Sequence, residues 1–193
     1  GVITDLWGIG TDNQRIPSDE EIAAAESLVN YKDILLRPED HSVKLAKAGM
    51  SIDLGGIAKG YAVDEVRAIF AKHHIENGLI NLGASSMYAL GSNAKGGPWR
   101  IGIKHPRNDD KDTYLGIVAV SNENISTSGD YERFFEENGV RYHHIFDPKT
   151  GRPARSGVMS DSVLVDSSIE HGGMLGDMLT TILFVLGPER GME

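Results

Sequence analysis

The sequence predicts an α+β protein, with strands grouped in a mixed or antiparallel sheet and helices packed on it. Three observations lead there. β-like segments crowd the stretch from residue 78 to residue 166, separated by turn signals. Helical patterning is confined to segments before and after that stretch. A hydrophobic content of 40% over 193 residues is enough for one domain with a core, or two small ones.

The elements follow in order. Ser18-Asp19-Glu20-Glu21 has the form of a capping box, with Ser18 as N-cap and Glu21 three residues on, so a helix is expected through about Tyr31. Residues 33–37 and 43–47 have strand character on either side of a Pro38–Ser42 turn, the pattern of a hairpin. A longer helix is expected over 57–73, with Ile57, Tyr61, Val66 and Phe70 spaced among polar residues. Strands are then expected at Gly78–Gly83, Ser86–Gly91, Trp99–His105, Tyr114–Ser121, Arg141–Phe146 and Ser162–Asp166. Gly96-Gly97-Pro98, Asn108-Asp109-Asp110 and Pro148–Pro153 supply turns between them. A last helix should run from about Met174 to Leu186 and close at Gly187-Pro188. No internal repeat, low-complexity tract or linker interrupts this order.

The composition excludes several classes. A formal net charge of -9 argues against nucleic acid or an anionic membrane as the main partner. The absence of cysteine removes thiol catalysis, zinc–thiolate sites and disulfides. No apolar run is long enough to span a bilayer, and no signal peptide is present. The chain opens Gly1-Val2-Ile3 and stops soon after Gly187-Pro188, so both ends read as cuts inside a larger protein.

The segment richest in chemistry is Ile52-Asp53-Leu54-Gly55-Gly56-Ile57-Ala58-Lys59-Gly60-Tyr61-Ala62-Val63-Asp64. Gly55 and Gly56 let the backbone approach a ligand without Cβ interference. The helix start behind them, with Lys59 and Gly60, offers unpaired N–H groups and the positive end of a dipole. A phosphorylated ligand fits that chemistry; a plain strand-to-helix turn with a solvated lysine fits the residues as well. The segment is neither a Walker A loop nor a dinucleotide fingerprint. Asp177 and Thr181, four apart on the last helix, share one face. They are either first-turn capping groups or oxygen ligands for a hard cation such as Mg²⁺. In Arg141-Tyr142-His143-His144-Ile145 two successive histidines face opposite sides of a strand, so one should be buried and hydrogen-bonded. The other could act as a general base near a phosphate. His73-His74 and His105 lack ligand spacing, and His171 adjoins a glycine turn. Ser126-Thr127-Ser128-Gly129-Asp130 lacks the Gly-x-Ser-x-Gly frame and reads as a loop of hydroxyls and backbone donors for polar ligand groups.

Together and in this order, these segments resemble the ApbE-like FAD:protein FMN transferases. The matching stretches are 53–64, 126–134 (Ser-Thr-Ser-Gly-Asp-Tyr-Glu-Arg-Phe), 141–151 and 177–187, with lesser matches at Leu6-Trp7-Gly8 and Pro98-Trp99. The resemblance implies a T-fold-related architecture and a single transferase domain over 1–193 that lacks N- and C-terminal parts of the family's length. It implies Mg²⁺ as cofactor and FAD as substrate, whose FMN half passes to a threonine of an acceptor protein with release of AMP. Asp177, Thr181 and the backbone carbonyl of Ala58 match the metal positions. Gly55, Gly56, Lys59 and Gly60 match the segment near the pyrophosphate, Ser128 and Gly129 fall in the second matching stretch, and His144 matches the candidate base. An extracytoplasmic location is implied too, with any membrane tie made through a lipid anchor absent from this chain.

Two departures stand out. Asn81-Leu82-Gly83-Ala84-Ser85 carries Ala84 where a second glycine is expected, and Gly176 and Met178 replace alanines around Asp177. Three other readings remain: a Mg²⁺-dependent FAD pyrophosphatase giving FMN and AMP, a non-catalytic FAD-binding protein, and a structural fragment with no ligand.

Overall fold

The computed structural model describes residues 1–108 and 113–193. Of the expected turn at Asn108-Asp109-Asp110, the part from residue 109 on lies outside the described residues. In chain order the elements are α1 (Val2–Trp7), α2 (Asp19–Glu26), β1 (Ile34–Arg37), β2 (Ser42–Leu45), α3 (Ala58–Lys72), β3 (Gly78–Leu82) and β4 (Ser86–Leu90). There follow β5 (Trp99–Lys104), β6 (Tyr114–Val120), β7 (Glu123–Gly129), β8 (Phe134–Glu137), β9 (Val140–His143), β10 (Phe146–Asp147), β11 (Arg152–Pro153), β12 (Ser160–Asp166) and α4 (Gly172–Gly191). The class is α+β with antiparallel pairing throughout these strands. The chain divides into two compact units, Gly1–Asp53 with Glu132–Arg155, and Leu54–Tyr131 with Ser156–Glu193.

The first unit is built on Ile3, Trp7, Ile9, Ile22 and Ala25, with Phe135, Tyr142 and Phe146 packed against them. Trp7 is fully buried, its indole N–H donates to the Gly151 carbonyl at 2.8 Å, and its ring stacks on Tyr142 at 5.7 Å. One side chain therefore anchors both α1 and the Asp147–Gly151 turn. The capping box forms as expected: Glu21 N–H donates to Ser18 Oγ, and Ser18 N–H to the Glu21 carboxylate. The Arg15 guanidinium, helped by that N–H, holds the Glu21 carboxyl down to about 2. α2 stops at Glu26 rather than near Tyr31. Ser27 turns its hydroxyl back onto the Ala24 carbonyl, and the Asn30 side chain caps a separate 3₁₀ turn at Tyr31–Asp33. β1 and β2 form the expected hairpin around Pro38. The strand expected over 141–146 is broken at His144, and β8, which the sequence reading did not anticipate, pairs with β9.

The second unit has a four-stranded sheet in the order β12-β7-β4-β3. The β5–β6 hairpin covers one face through Ile101 and Val120, packed on Met87, Ala89 and Ile125. α3 covers the other, where Val63, Val66 and Phe70 meet Ile80 and Tyr88. β4 is thus buried on both sides, which is why Ser-Met-Tyr-Ala-Leu shows no apolar/polar alternation. The hydroxyl segment Ser126–Gly129, expected as a loop, is instead part of the interior strand β7. Its apolar Ile125 faces the hairpin core, while the serines face the helices, so its polarity hid its burial. α4 is non-helical at Gly187 (φ 82°, ψ 173°) and resumes at Pro188, so the expected closure is a break between two helical pieces.

β12 carries one group at odds with its surroundings. Asp161 stands directly opposite Ser128, and neither of its buried carboxylate oxygens has a partner among the other described residues. Burial pushes its carboxyl up to about 7, offset only in part by its own backbone N–H. A carboxyl raised in the folded state is protonated there and ionised in the unfolded chain between pH 4 and pH 7, so stability falls as pH rises through that window. Asp161→Asn should raise Tm less at pH 5 than at pH 8, by about 2–4 °C for each kcal/mol of burial cost removed. Thermal unfolding at the two pH values checks this, and an equal shift at both would contradict it.

Candidate functional site

Within the second unit the chain enters α3 through a tight turn. The Leu54 carbonyl accepts from Ile57 N–H at 3.0 Å and Ala58 N–H at 2.9 Å, with Gly55 and Gly56 between them. Gly56 lies against α4: a Cβ placed on it would stand 3.4 Å from Thr181 Oγ1. Ala58 is the first residue of α3, and Lys59 follows it, exposed, with its ammonium 2.7 Å from Ser85 Oγ in the β3–β4 turn. The helix start is less open than the sequence implied. Ala58 N–H is spent on Leu54, and Gly60 N–H donates to Asp177 Oδ2 at 3.0 Å.

Asp177 is therefore a capping group, but across helices rather than within its own. It is buried, 7% exposed, and its other oxygen, Oδ1, has no hydrogen-bond partner among the described residues. Thr181 sits one turn on, its hydroxyl 3.4 Å from the Asp177 carbonyl. That same carbonyl accepts from Thr180 Oγ1 at 2.9 Å, and Thr180 in turn accepts from Ser128 Oγ at 2.9 Å. A chain of two hydroxyls thus fixes the backbone of Asp177 to strand β7. Thr180, fully buried, and Ser85 were both missed by the sequence reading. Neither residue type nor spacing distinguishes them from ordinary loop and helix hydroxyls.

The crossing of α3 and α4 explains the glycines. A Cβ on Gly60 would stand 2.1 Å from the Gly173 carbonyl oxygen, and one on Gly173 would stand 2.6 Å from that of Gly60. Gly60 is thus a packing glycine, with its N–H turned inward. Gly129 is a packing glycine too, since a Cβ there would run into the Tyr131 ring at 2.4 Å. In the β3–β4 turn Gly83 has φ 68° and Ala84 φ 59°. The alanine noted in the sequence sits where glycine is favoured, held by its N–H donating to Asn81 Oδ1 at 2.8 Å.

Of the residues singled out from the sequence, Gly55, Gly56, Ala58, Lys59, Gly60, Ser128, Gly129, Asp177 and Thr181 all belong to this unit. His144 belongs to the first. There His143 is the buried, hydrogen-bonded member of the pair, with Nε2 3.0 Å from the Ala154 carbonyl. His144 Nδ1 lies 3.2 Å from the Arg133 carbonyl, so Nδ1 carries the proton and Nε2 is the basic nitrogen of the neutral ring.

Among the described residues no three His, Cys, Asp or Glu side chains gather as a metal cluster. A cation here would rest on one carboxylate plus hydroxyl and carbonyl oxygens. That all-oxygen set suits Mg²⁺, which keeps waters and takes substrate phosphates for the remainder of its shell. The unengaged Oδ1 of Asp177 fits such an ion.

A sequence model of the ApbE family matches residues 1–193. A Klebsiella pneumoniae protein named FAD:protein FMN transferase is 37% identical over 191 residues, covering 99% of this chain and 56% of its own. One of the same name from Treponema pallidum is 36% identical, covering 98% of this chain and 54% of its own. The crystal structure of the ApbE protein from Thermotoga maritima superposes with a TM-score of 0.84 at 39% identity, covering 96% of this chain and 58% of that one. The flavin transferase ApbE from Vibrio cholerae gives 0.82 at 34% identity, covering 100% of this chain and 59% of that one. The chain spans about half the length of the curated relatives it matches.

The crossing makes a sharp prediction. Gly60→Ala should destabilise the protein by about 3 kcal/mol, because backbone faces the new methyl and cannot yield as a side chain would. Gly116→Ala, where an added Cβ meets nothing within 4 Å, should stay within about 0.5 kcal/mol of wild type in urea denaturation. Equal effects would refute the close crossing.

Proposed function

The chain belongs to the ApbE family, and from that premise we propose that it moves the FMN half of FAD onto a threonine hydroxyl of an acceptor protein, releasing AMP. The observation that carries the reading is the divided carboxylate of Asp177. One oxygen is bound to Gly60 N–H, and the other is left for chemistry beside Thr181 and the Gly55-Gly56 turn.

In this reaction the threonine Oγ bonds to the FMN phosphorus as the pyrophosphate P–O bond breaks. AMP leaves with the bridging oxygen, and the threonine proton goes to a base. Asp177 through Oδ1, Thr181 through its hydroxyl and Ala58 through its carbonyl would hold Mg²⁺, which when bound neutralises charge on the phosphoryl oxygens. Lys59 brings a mobile positive charge to the same end of α3, within reach of a phosphate once it leaves Ser85. Gly55 and Gly56 admit the diphosphate close to the backbone, as no side chain larger than hydrogen stands there. Ser128 acts indirectly, by fixing Thr180 and hence the Asp177 carbonyl. His144 is assigned the proton on the strength of its motif, with Nε2 as the accepting atom. The acceptor and the reaction are proposed to lie outside the bacterial cytoplasm; recovery of the flavinylated acceptor in a cytoplasmic fraction would oppose that.

Mass spectrometry of a threonine-bearing acceptor peptide, incubated with the protein, FAD and Mg²⁺, should show an FMN-sized gain that EDTA abolishes. FMN and AMP beside an unmodified acceptor would mark a pyrophosphatase instead, and intact FAD would refute both. Asp177→Asn is the informative variant, because the amide oxygen can still accept from Gly60 N–H while the charge is lost. Transfer should drop by at least about 100-fold with unchanged helical circular dichroism. Full activity in that variant would remove Asp177 from the chemistry.

A further inference from the structure

Resting on the reading of Asp177 as a metal-holding carboxylate, we infer that Asp64 is the positioning residue that aims it. Neither α3 nor α4 caps its own start. The N-cap of α3 is Ile57 and that of α4 is His171, and neither gives its helix a side-chain cap. α4 moreover starts Gly172-Gly173, the residue type with the most backbone freedom to lose. Left alone, its first turn would fray.

Asp64 supplies what is missing. Its Oδ1 accepts from Gly173 N–H and its Oδ2 from Met174 N–H, both at 2.9 Å. Asp177 returns the same service to α3 through Gly60 N–H. Each helix therefore presents Gly-x-x-x-Asp on one face: Gly60 with Asp64 on α3, and Gly173 with Asp177 on α4. The glycines bring the backbones together, and each aspartate caps the partner helix.

The consequence is directional. Asp177 lies one turn beyond Gly173; the Ser128–Thr180 chain holds its backbone carbonyl, and the turn that Asp64 caps sets the approach of its carboxylate to α3. With that turn in place, Oδ2 stays on Gly60 and Oδ1 is held ready for the cation. Without it, Asp177 would sample orientations in which both oxygens wander, and metal affinity would fall while the chemistry of a loaded site would not. Asp64 bonds to Gly173 and Met174 rather than to Asp177, so it acts through the first turn of α4.

The test measures orientation and metal separately on the 193-residue chain. In Asp64→Ala the Gly60 amide, followed by hydrogen exchange in ¹⁵N NMR spectra, should exchange at least about tenfold faster. Mn²⁺ affinity, read from the free-ion EPR signal, should fall about tenfold or more, the range typical of residues that orient a metal ligand. FMN transfer should need correspondingly more Mg²⁺ but recover to within about threefold at saturation. Asp64→Asn keeps one acceptor oxygen and should recover part of both losses; it also serves if the alanine variant does not fold. Unchanged Gly60 protection in a folded variant overturns the proposal whatever the metal does, as does unchanged Mn²⁺ affinity in a variant whose wild type binds the ion. Wild-type protein that binds no Mn²⁺, with Gly60 exchange still answering to Asp64, would instead sink the metal reading and leave the positioning intact.

Discussion

Two helix starts that cannot cap themselves, and so cap each other, are the constraint on which the second unit depends. Four N–H groups at the start of any helix need partners from outside it. Here Ile57 and His171 provide none, and Asp177 and Asp64 fill the gap from the neighbouring helix. Such an exchange works only if the backbones nearly touch, which is why glycine occupies Gly60 and Gly173. The close crossing, the two carboxylates and the direction of α4 are one feature seen from three sides.

Under the proposed reaction a single carboxylate would serve both structure and chemistry. A site with several acidic groups would hold a divalent cation tightly but repel a diphosphate. In the proposed reaction Asp177 would offer one oxygen to the cation while Gly60 N–H holds the other, and Lys59 at the same helix end would add positive charge for a diphosphate in a chain whose formal net charge is -9.

How much of this was legible in the sequence varies with the kind of signal. Local signals read well. The Ser18 capping box, the hairpin around Pro38, the start of α3 and the break at Gly187 all depend on residues adjacent in the chain. The alanine at position 84, picked out as standing where glycine was expected, does adopt a left-handed backbone. Long-range signals read poorly. Ser126-Thr127-Ser128-Gly129 reads as a loop of hydroxyls because its residue types are polar, and only the approach of α4 makes these positions of β7 interior. Asp177 could be narrowed to capping group or metal ligand, but its partner, Gly60, lies far away in sequence. Asp64 was in plain view at the end of the first motif; the repeated Gly-x-x-x-Asp spacing was the available clue, and it gains meaning only once the two helices are known to cross.

The serines of β7 and β4 follow from the same crossing. A helix seated with its glycines against the sheet leaves little depth for side chains beneath it: a Cβ on Gly172 would stand 2.8 Å from Asn124 Nδ2, and one on Gly176 would stand 3.0 Å from Ser126 Oγ. Valine or leucine at these sheet positions would lift α4 away, and with it the hydroxyl chain from Ser128 through Thr180 to the Asp177 carbonyl. Small polar residues keep α4 low. The cost is visible in Ser86 Oγ, Ser126 Oγ and the Asn124 amide, which are buried without partners among the described residues, at about 1–3 kcal/mol for each such group. A fold selected for stability alone would replace them. Their presence is intelligible if the height of α4 above the sheet, and so the placement of Asp177, is what the sequence of this face has to satisfy.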